Sequence, residues 1–213
     1  MAMVLAAVTI QIVQAYRDDH LAKDLEDERS QLNRRIRDAV KPIPELIAQL
    51  PALSYPDRAL RVQGIAQACA TALYMLIAPH AENIRTAVFA LEENPDRMTW
   101  LAHVGRGRTP CPFTPGTVRG DAAFEFITAL QPAFYPDLTT QQPAGYDESP
   151  SDYRTFISIP LWTDESVYGM VTVDAPDPGA LTVGDQYVAE LIAELMAAAF
   201  EIANNGSLST PLP

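Results

Sequence analysis

The chain has 213 residues, a length that suits one domain with an appendage. It is 48% apolar, 20% charged and 8% aromatic, which provides for a sizeable core and excludes disorder over most of its length. A net charge of −12 excludes nucleic acid as an expected partner, because phosphates are held mainly by lysine and arginine.

The charge is unevenly spread. Residues 1–119 carry 14 basic and 13 acidic groups, whereas residues 120–213 carry a single base, Arg154, against 14 acids. Any anion site must therefore be assembled locally from a few arginines. Two cysteines (Cys69, Cys111) and three histidines show no metal-ligand spacing. They predict a reduced, cytoplasmic protein without a metal centre.

Met1–Tyr16 is uncharged and mostly apolar. It lacks the basic start and small-residue cleavage site of a secretory signal, and it is shorter than the roughly 20 residues of a membrane span. Two readings stand open: a helix start packed on itself or a partner, and the end of a membrane helix holding the protein at the inner face of the cell membrane. A charged helix follows over residues 17–40. Leu21 and Leu32 stand eleven apart, as do Leu25 and Ile36, a spacing that suits a nearly straight coiled coil or a solvated helix with a thin apolar seam. Pro42 and Pro44 end it. The expected organisation is a stalk over 1–43, a globular domain over 44–203 and a flexible tail over 204–213.

In the globular part a helix is predicted from Pro56 to Ala78, opened by Ser54 with Asp57 three residues on. Leu60, Ile65, Cys69, Leu73, Leu76 and Ile77 recur at helical spacing, so one face is expected to be buried, with Cys69 a small core residue. The period then changes to two. Residues 85–93 and 98–106 read as strands of an antiparallel hairpin joined by Asn94-Pro95-Asp96-Arg97. His103 alternates with Trp100, Ala102 and Val104 and is predicted to face away from them, toward solvent.

A Gly/Pro-rich loop, GRGRTPCPFTPGTVRG, leads to a short helix from Asp121 to Leu130, a brief strand at Phe134–Tyr135 and a polar loop. Strands at 154–162 and 167–175 follow, joined by the acidic turn Thr163–Ser166. The last helix starts at Thr182, with Asp185 placed for a capping box, and runs to about Ala203. Its rows 187/191/195 and 188/192/196 are both apolar, so one row is left over once the other lies on the sheet. A second copy of the helix, or the 56–78 helix of the same chain, is expected to cover it. The fold class is α+β, an antiparallel sheet with helices on one face, preceded by a long N-terminal helix.

These residues resemble a GAF domain. The strand ending in Pro160-Leu161, the short turn, the strand with the early Gly169, and the Thr182-x-x-Asp185 helix start follow that family's order. Upstream, Phe113, Gly116 and Gly120 resemble its crossover loop. The resemblance spans roughly residues 56–203. It implies a ligand-binding or regulatory module, often dimeric, that takes cyclic nucleotides, tetrapyrroles, haem, amino acids or small aromatics.

These residues name neither the ligand nor a cofactor. The Asn-Lys-x-x-x-Phe signature of cyclic-nucleotide members is absent, and so is a Cys-His pair late in the crossover for bilin attachment. One enzymatic member of the family reduces free methionine sulfoxide with cysteines around the same loop. Here the second cysteine of that pattern is Arg119, which leaves Cys111 without a resolving partner.

The loops that close a GAF pocket offer Phe113, Arg119, Asp121, Phe124, Phe134, Tyr135, Asp137, Tyr153 and Arg154. Aromatic faces with one or two cations suit a planar or anionic ligand. The same aromatics also suit a sheet core, with Arg119 paired to Asp121 or Asp137. The expected protein is a non-enzymatic sensory or regulatory homodimer, joined through stalk and closing helix, with a small-molecule ligand and a downstream signalling protein as partners. The alternatives are a thiol enzyme centred on Cys111 and a ligand-less dimerisation scaffold.

Overall fold

A computed structural model of the chain describes residues 29–92, 97–107, 109–146, 152–164 and 166–205. The apolar segment 1–16, the first part of the charged helix with Leu21 and Leu25, the 94–96 turn and the tail from Ser207 lie outside the described residues. The chain divides into two units, residues 1–38 and 39–213, and each is taken by itself. In the first, the described residues are helical, and Leu32 and Ile36 lie one turn apart. This helix, α1, covers residues 29–40.

The second unit opens with α2 (Pro42–Ile47), where Pro42 occupies the first turn and its missing N–H is not needed. A 3-10 turn at Leu50–Ala52 follows, held by Arg58, whose Nε donates to the carbonyls of Leu50 at 3.2 Å and Leu53 at 3.0 Å. Helix α3 spans Tyr55–Ile77. Ile65, Cys69, Leu73 and Ile77 are fully buried, as their spacing requires. Leu60 departs from expectation and is 69% exposed. Five residues along a helix turn it about 140° away from Ile65, off the buried stripe. The Ser54 hydroxyl donates to the Asp57 carboxylate at 2.5 Å and its oxygen accepts no N–H of the helix start, so that capping box does not form. By length and composition α3 could cross a membrane; in this fold it is a core helix.

Five antiparallel strands form one sheet in the order β2-β1-β5-β4-β3. They are β1 (Arg85–Glu92), β2 (Arg97–Gly105), β3 (Ala133–Tyr135), β4 (Thr155–Trp162) and β5 (Val167–Ala175). Helix α4 (Val118–Ala129) lies in the crossover between β2 and β3, and α5 (Val183–Asn205) closes the domain. One face of the sheet presents Val88, Ile157, Leu161, Val171 and Val173 to α3 and α5. The other presents Ala87, Phe89, Met98 and Met170 to Phe113 and to Ala123 and Ile127 of α4. The crossover thus covers the face that the two long helices leave open.

Two irregularities reset the alternation. The β4–β5 register shifts at Leu161/Trp162, where Gly169 adopts φ 146° and a Cβ would overlap the Phe89 carbonyl oxygen. As a result Tyr168 turns to the helices, stacking on Phe200 with centroids 5.2 Å apart, while Met170 turns to the crossover. The β1–β2 register shifts between Val88 and Phe89. His103 does oppose Ala102 and Val104, which pack toward the helices, but it shares its side with Trp100, and their rings meet edge-on at 5.1 Å.

Helix α5 begins with the expected capping box. The Asp185 carboxylate accepts from the Thr182 N–H and hydroxyl, both at 2.8 Å, and the Asp185 N–H donates back to Thr182 Oγ1 at 3.3 Å. His80 Nε2 lies 2.9 Å from the other carboxylate oxygen and ties the end of α3 to the start of α5. Ile192 and Met196 are fully buried, whereas Tyr187 and Leu191 are 64% and 47% exposed. The row left over is therefore 187/191, and α3 does not cover it.

Candidate functional site

Strand pairing aligns four residues across the crossover face in one row: Tyr135 on β3, Phe156 on β4, Asp174 on β5 and Arg85 on β1. Half of the row is aromatic. Tyr135 and Phe156 stack at 5.0 Å, Tyr153 meets Phe156 edge-on at 5.9 Å, and Tyr146 meets Tyr153 at 5.7 Å. All four rings are half-buried. Arg154 reaches the Tyr146 hydroxyl at 3.3 Å, and that hydroxyl donates to the Tyr153 carbonyl at 3.1 Å.

The other half is ionic. Asp174 is buried and accepts from Arg85 Nε at 3.0 Å and from Arg106 Nη2 at 2.5 Å. Arg106 Nη1 reaches the Asp152 carboxylate at 2.5 Å. Both guanidiniums are nearly buried, but the Asp152 side chain is 57% exposed. Arg106 Nε is buried without a hydrogen-bond partner among the described residues.

The two acids respond in opposite ways. Burial pushes the Asp174 carboxyl above its ordinary pKa, against the charges of Arg85 and Arg106. For Asp152, partial burial pulls upward, but the hydrogen bond and charge of Arg106 and the charge of Arg85 outweigh it and hold the carboxyl low.

A second cluster lies beside the first. The Arg119 guanidinium sits over the Phe113 ring, 3.7 Å from its centroid, and donates to the carbonyls of Pro112 at 3.1 Å and Cys111 at 3.4 Å. Its head group is crowded although the side chain as a whole is exposed, and this burial lowers its pKa, with Tyr153 and Cys111 opposing and Arg85 adding to the effect. Phe113 in turn packs edge-on against Phe89 at 5.0 Å, and Phe124 packs against the same core.

The nine sequence candidates therefore separate. Tyr135, Tyr153 and Arg154 come together with Tyr146 and Phe156, and Phe113, Arg119 and Phe124 form the neighbouring cluster. Phe134 does not join them; it lies one residue out of register with Tyr135 and packs toward the long helices. Asp121 accepts from the Gly116 N–H at 2.8 Å, and Asp137 accepts from the Thr139 N–H and hydroxyl at 2.8 and 2.6 Å. Both carboxylates are used within their own turns, and neither pairs with Arg119.

Arg85, Arg106, Asp152 and Asp174 escaped the sequence reading. One signal was there: Asp174 is an acid inside an otherwise apolar strand, which calls for a cation on the adjoining strand. Chemically, the arrangement offers guanidiniums for a carboxylate or other oxyanion and aromatic faces for a planar group. Its thiols are far apart in the fold. Cys111 is exposed on the crossover loop, whereas Cys69 is buried on the helix side of the sheet, where burial pushes its pKa to about 12. Among the described residues no group of three or more His, Cys, Asp or Glu side chains is placed to hold a metal ion.

A sequence profile described as GAF domain matches residues 57–201. No curated protein matches the chain. Among solved structures, a phycoerythrobilin-bound GAF domain from a cyanobacterial phytochrome is similar, with a TM-score of 0.58, 10% identity, and 80% of this chain covering 96% of that one. The GAF domain of a phosphoenolpyruvate-protein phosphotransferase from Coxiella burnetii gives 0.55 at 12% identity, over 81% of this chain and 98% of that one. A free methionine-R-sulfoxide reductase from Neisseria meningitidis, in complex with its substrate, gives 0.55 at 15% identity, over 80% and 90%. At these identities the likeness is one of fold.

Proposed function

Since the chain belongs to the GAF domain family, we propose that it is a non-enzymatic sensory or regulatory module that binds a small ligand on the crossover face of its sheet. The observation that carries this reading is the half-buried aromatics of β3 and β4 beside the nearly buried Arg85 on β1 and Arg106 just past β2, which grip Asp174 on β5. Paired strands position this set. Reductase chemistry on a sulfoxide leaves an oxidised thiol that a second thiol must resolve. The chain's only other thiol, Cys69, lies in the core on the other face.

The ligand reading is tested by native mass spectrometry of the purified chain together with a thermal-shift screen of metabolites. A retained small molecule, or a ligand that stabilises by about 2.7 kcal/mol at one hundred times its dissociation constant, supports it. Absence of both, with turnover of free methionine sulfoxide that Cys111→Ser abolishes, replaces it with the thiol enzyme.

In this reading the module works as a homodimer. Tyr187 and Leu191, with Val183 one turn earlier, leave an apolar strip on α5 open to solvent, and such strips usually mark a partner surface. A second copy related by a two-fold axis offers the same strip. Leu32 and Ile36 of α1 supply a seam of the same kind in the stalk. Ligand occupancy would then be passed on as a change in helix packing.

A further inference from the structure

The two acids of the ionic cluster play different parts. Asp174 belongs to a strand, is buried and is gripped by both Arg85 and Arg106. Asp152 belongs to a loop, is largely exposed, and meets Arg106 through one oxygen. Asp174 and Asp152 together do not saturate Arg106, because its Nε is buried without an acceptor among the described residues. Two guanidiniums, those of Arg85 and Arg106, thus face two carboxylates, in a chain whose net charge is −12. Taking Asp152 away would leave two guanidiniums against one structural acid, in the same strand row as Tyr135 and Phe156.

We propose that Asp152 is a built-in stand-in for the carboxylate of a small planar, aromatic acid, which displaces it from Arg106 and lays its ring against Tyr135 and Phe156. This rests on the reading of the crossover face as a ligand site and names its substrate class. The exchange is economical: one carboxylate replaces another, so the buried guanidinium is never left without a counter-charge.

Benzoate and its neutral isostere benzamide serve as probes, titrated calorimetrically into the full chain and into Asp152→Asn. The amide keeps the shape of the side chain but gives up its charge on Arg106, so benzoate meets a weaker competitor. Benzoate is expected to bind Asp152→Asn at least about tenfold more tightly than wild type, with benzamide unchanged between the two. Asp152→Ser repeats the measurement with a smaller side chain should the amide disturb the loop.

Equal benzoate affinity for wild type and both variants overturns the proposal. So does an equal gain by benzamide, or no benzoate binding to either variant at millimolar concentration. If benzoate fails while native mass spectrometry finds a small molecule retained by the wild type, the ligand reading stands and only this assignment falls.

Discussion

Asp174 shows how one residue can hold a surface together while costing stability of its own. Its burial is expensive, and Arg85 and Arg106 offset that cost only while all three are present. Asp174→Ala strands two nearly buried guanidiniums and is expected to cost about 3–5 kcal/mol in urea unfolding. Asp152 behaves differently, because it is mostly exposed and solvent screens its contact with Arg106. Asp152→Asn is expected to cost under about 1 kcal/mol at neutral pH. Its folded pKa is depressed, so the stabilisation is present above the ordinary carboxylate value of about 4 and is lost as the pH falls through the lower folded value. The gap between wild type and Asp152→Asn in urea midpoint should therefore close in acid. The thiols make a third test: in the native protein a maleimide should label Cys111 alone, and in denaturant both cysteines. Sequence pattern revealed part of this chemistry. Tyr135, Tyr153 and Arg154 were visible as aromatics and a cation in one stretch of chain. Arg85 and Asp174 were not, because alternation assigns a residue to a face but says nothing of its neighbour on a strand 89 positions away. Asp121 and Asp137 misled for the opposite reason: short acids in loops are readily taken up by backbone N–H groups close by.

At the scale of elements, the helix starts test the difference between a capping box that forms and one that does not. Thr182→Ala should cost about 1 kcal/mol, the ordinary loss for an N-cap. Asp185→Ala should cost more, about 1–3 kcal/mol, because it also leaves the Thr182 N–H and His80 without their acceptor. At the start of α3, where Ser54 bonds only to Asp57, Ser54→Ala should change the melting temperature little. Helix α3, both hairpins and the α5 cap could all be read from period and turn chemistry. The bulges could not. Alternation presumes unbroken pairing, and the shifts near Phe89 and Gly169 reverse which side Trp100 and Tyr168 take. Gly169 was visible as a glycine; that its φ and the nearby Phe89 carbonyl demand one was not.

For the whole molecule, the exposed α5 row is where the proposed dimer would form. Leu191→Glu should turn a dimer into a monomer in sedimentation equilibrium with little change in melting temperature, since Leu191 lies outside the core. Ile192→Glu, one residue along, should unfold the domain, because that side chain is fully buried. The sheet order has a consequence during synthesis. Hairpins β1–β2 and β4–β5 are local, but the seam between them joins β1 to β5, and Arg85 meets Asp174 across 89 residues. A ribosome adding about 5–20 residues each second needs roughly 4–18 seconds to deliver the partner of β1 after β1 itself has been made. Throughout that interval the apolar run Ala87–Leu91 presents an open hydrogen-bonding edge to neighbouring nascent chains. Slow or crowded translation should therefore cost this protein more of its yield than its equilibrium stability would suggest, and the loss should appear as aggregation of chains that end before β5.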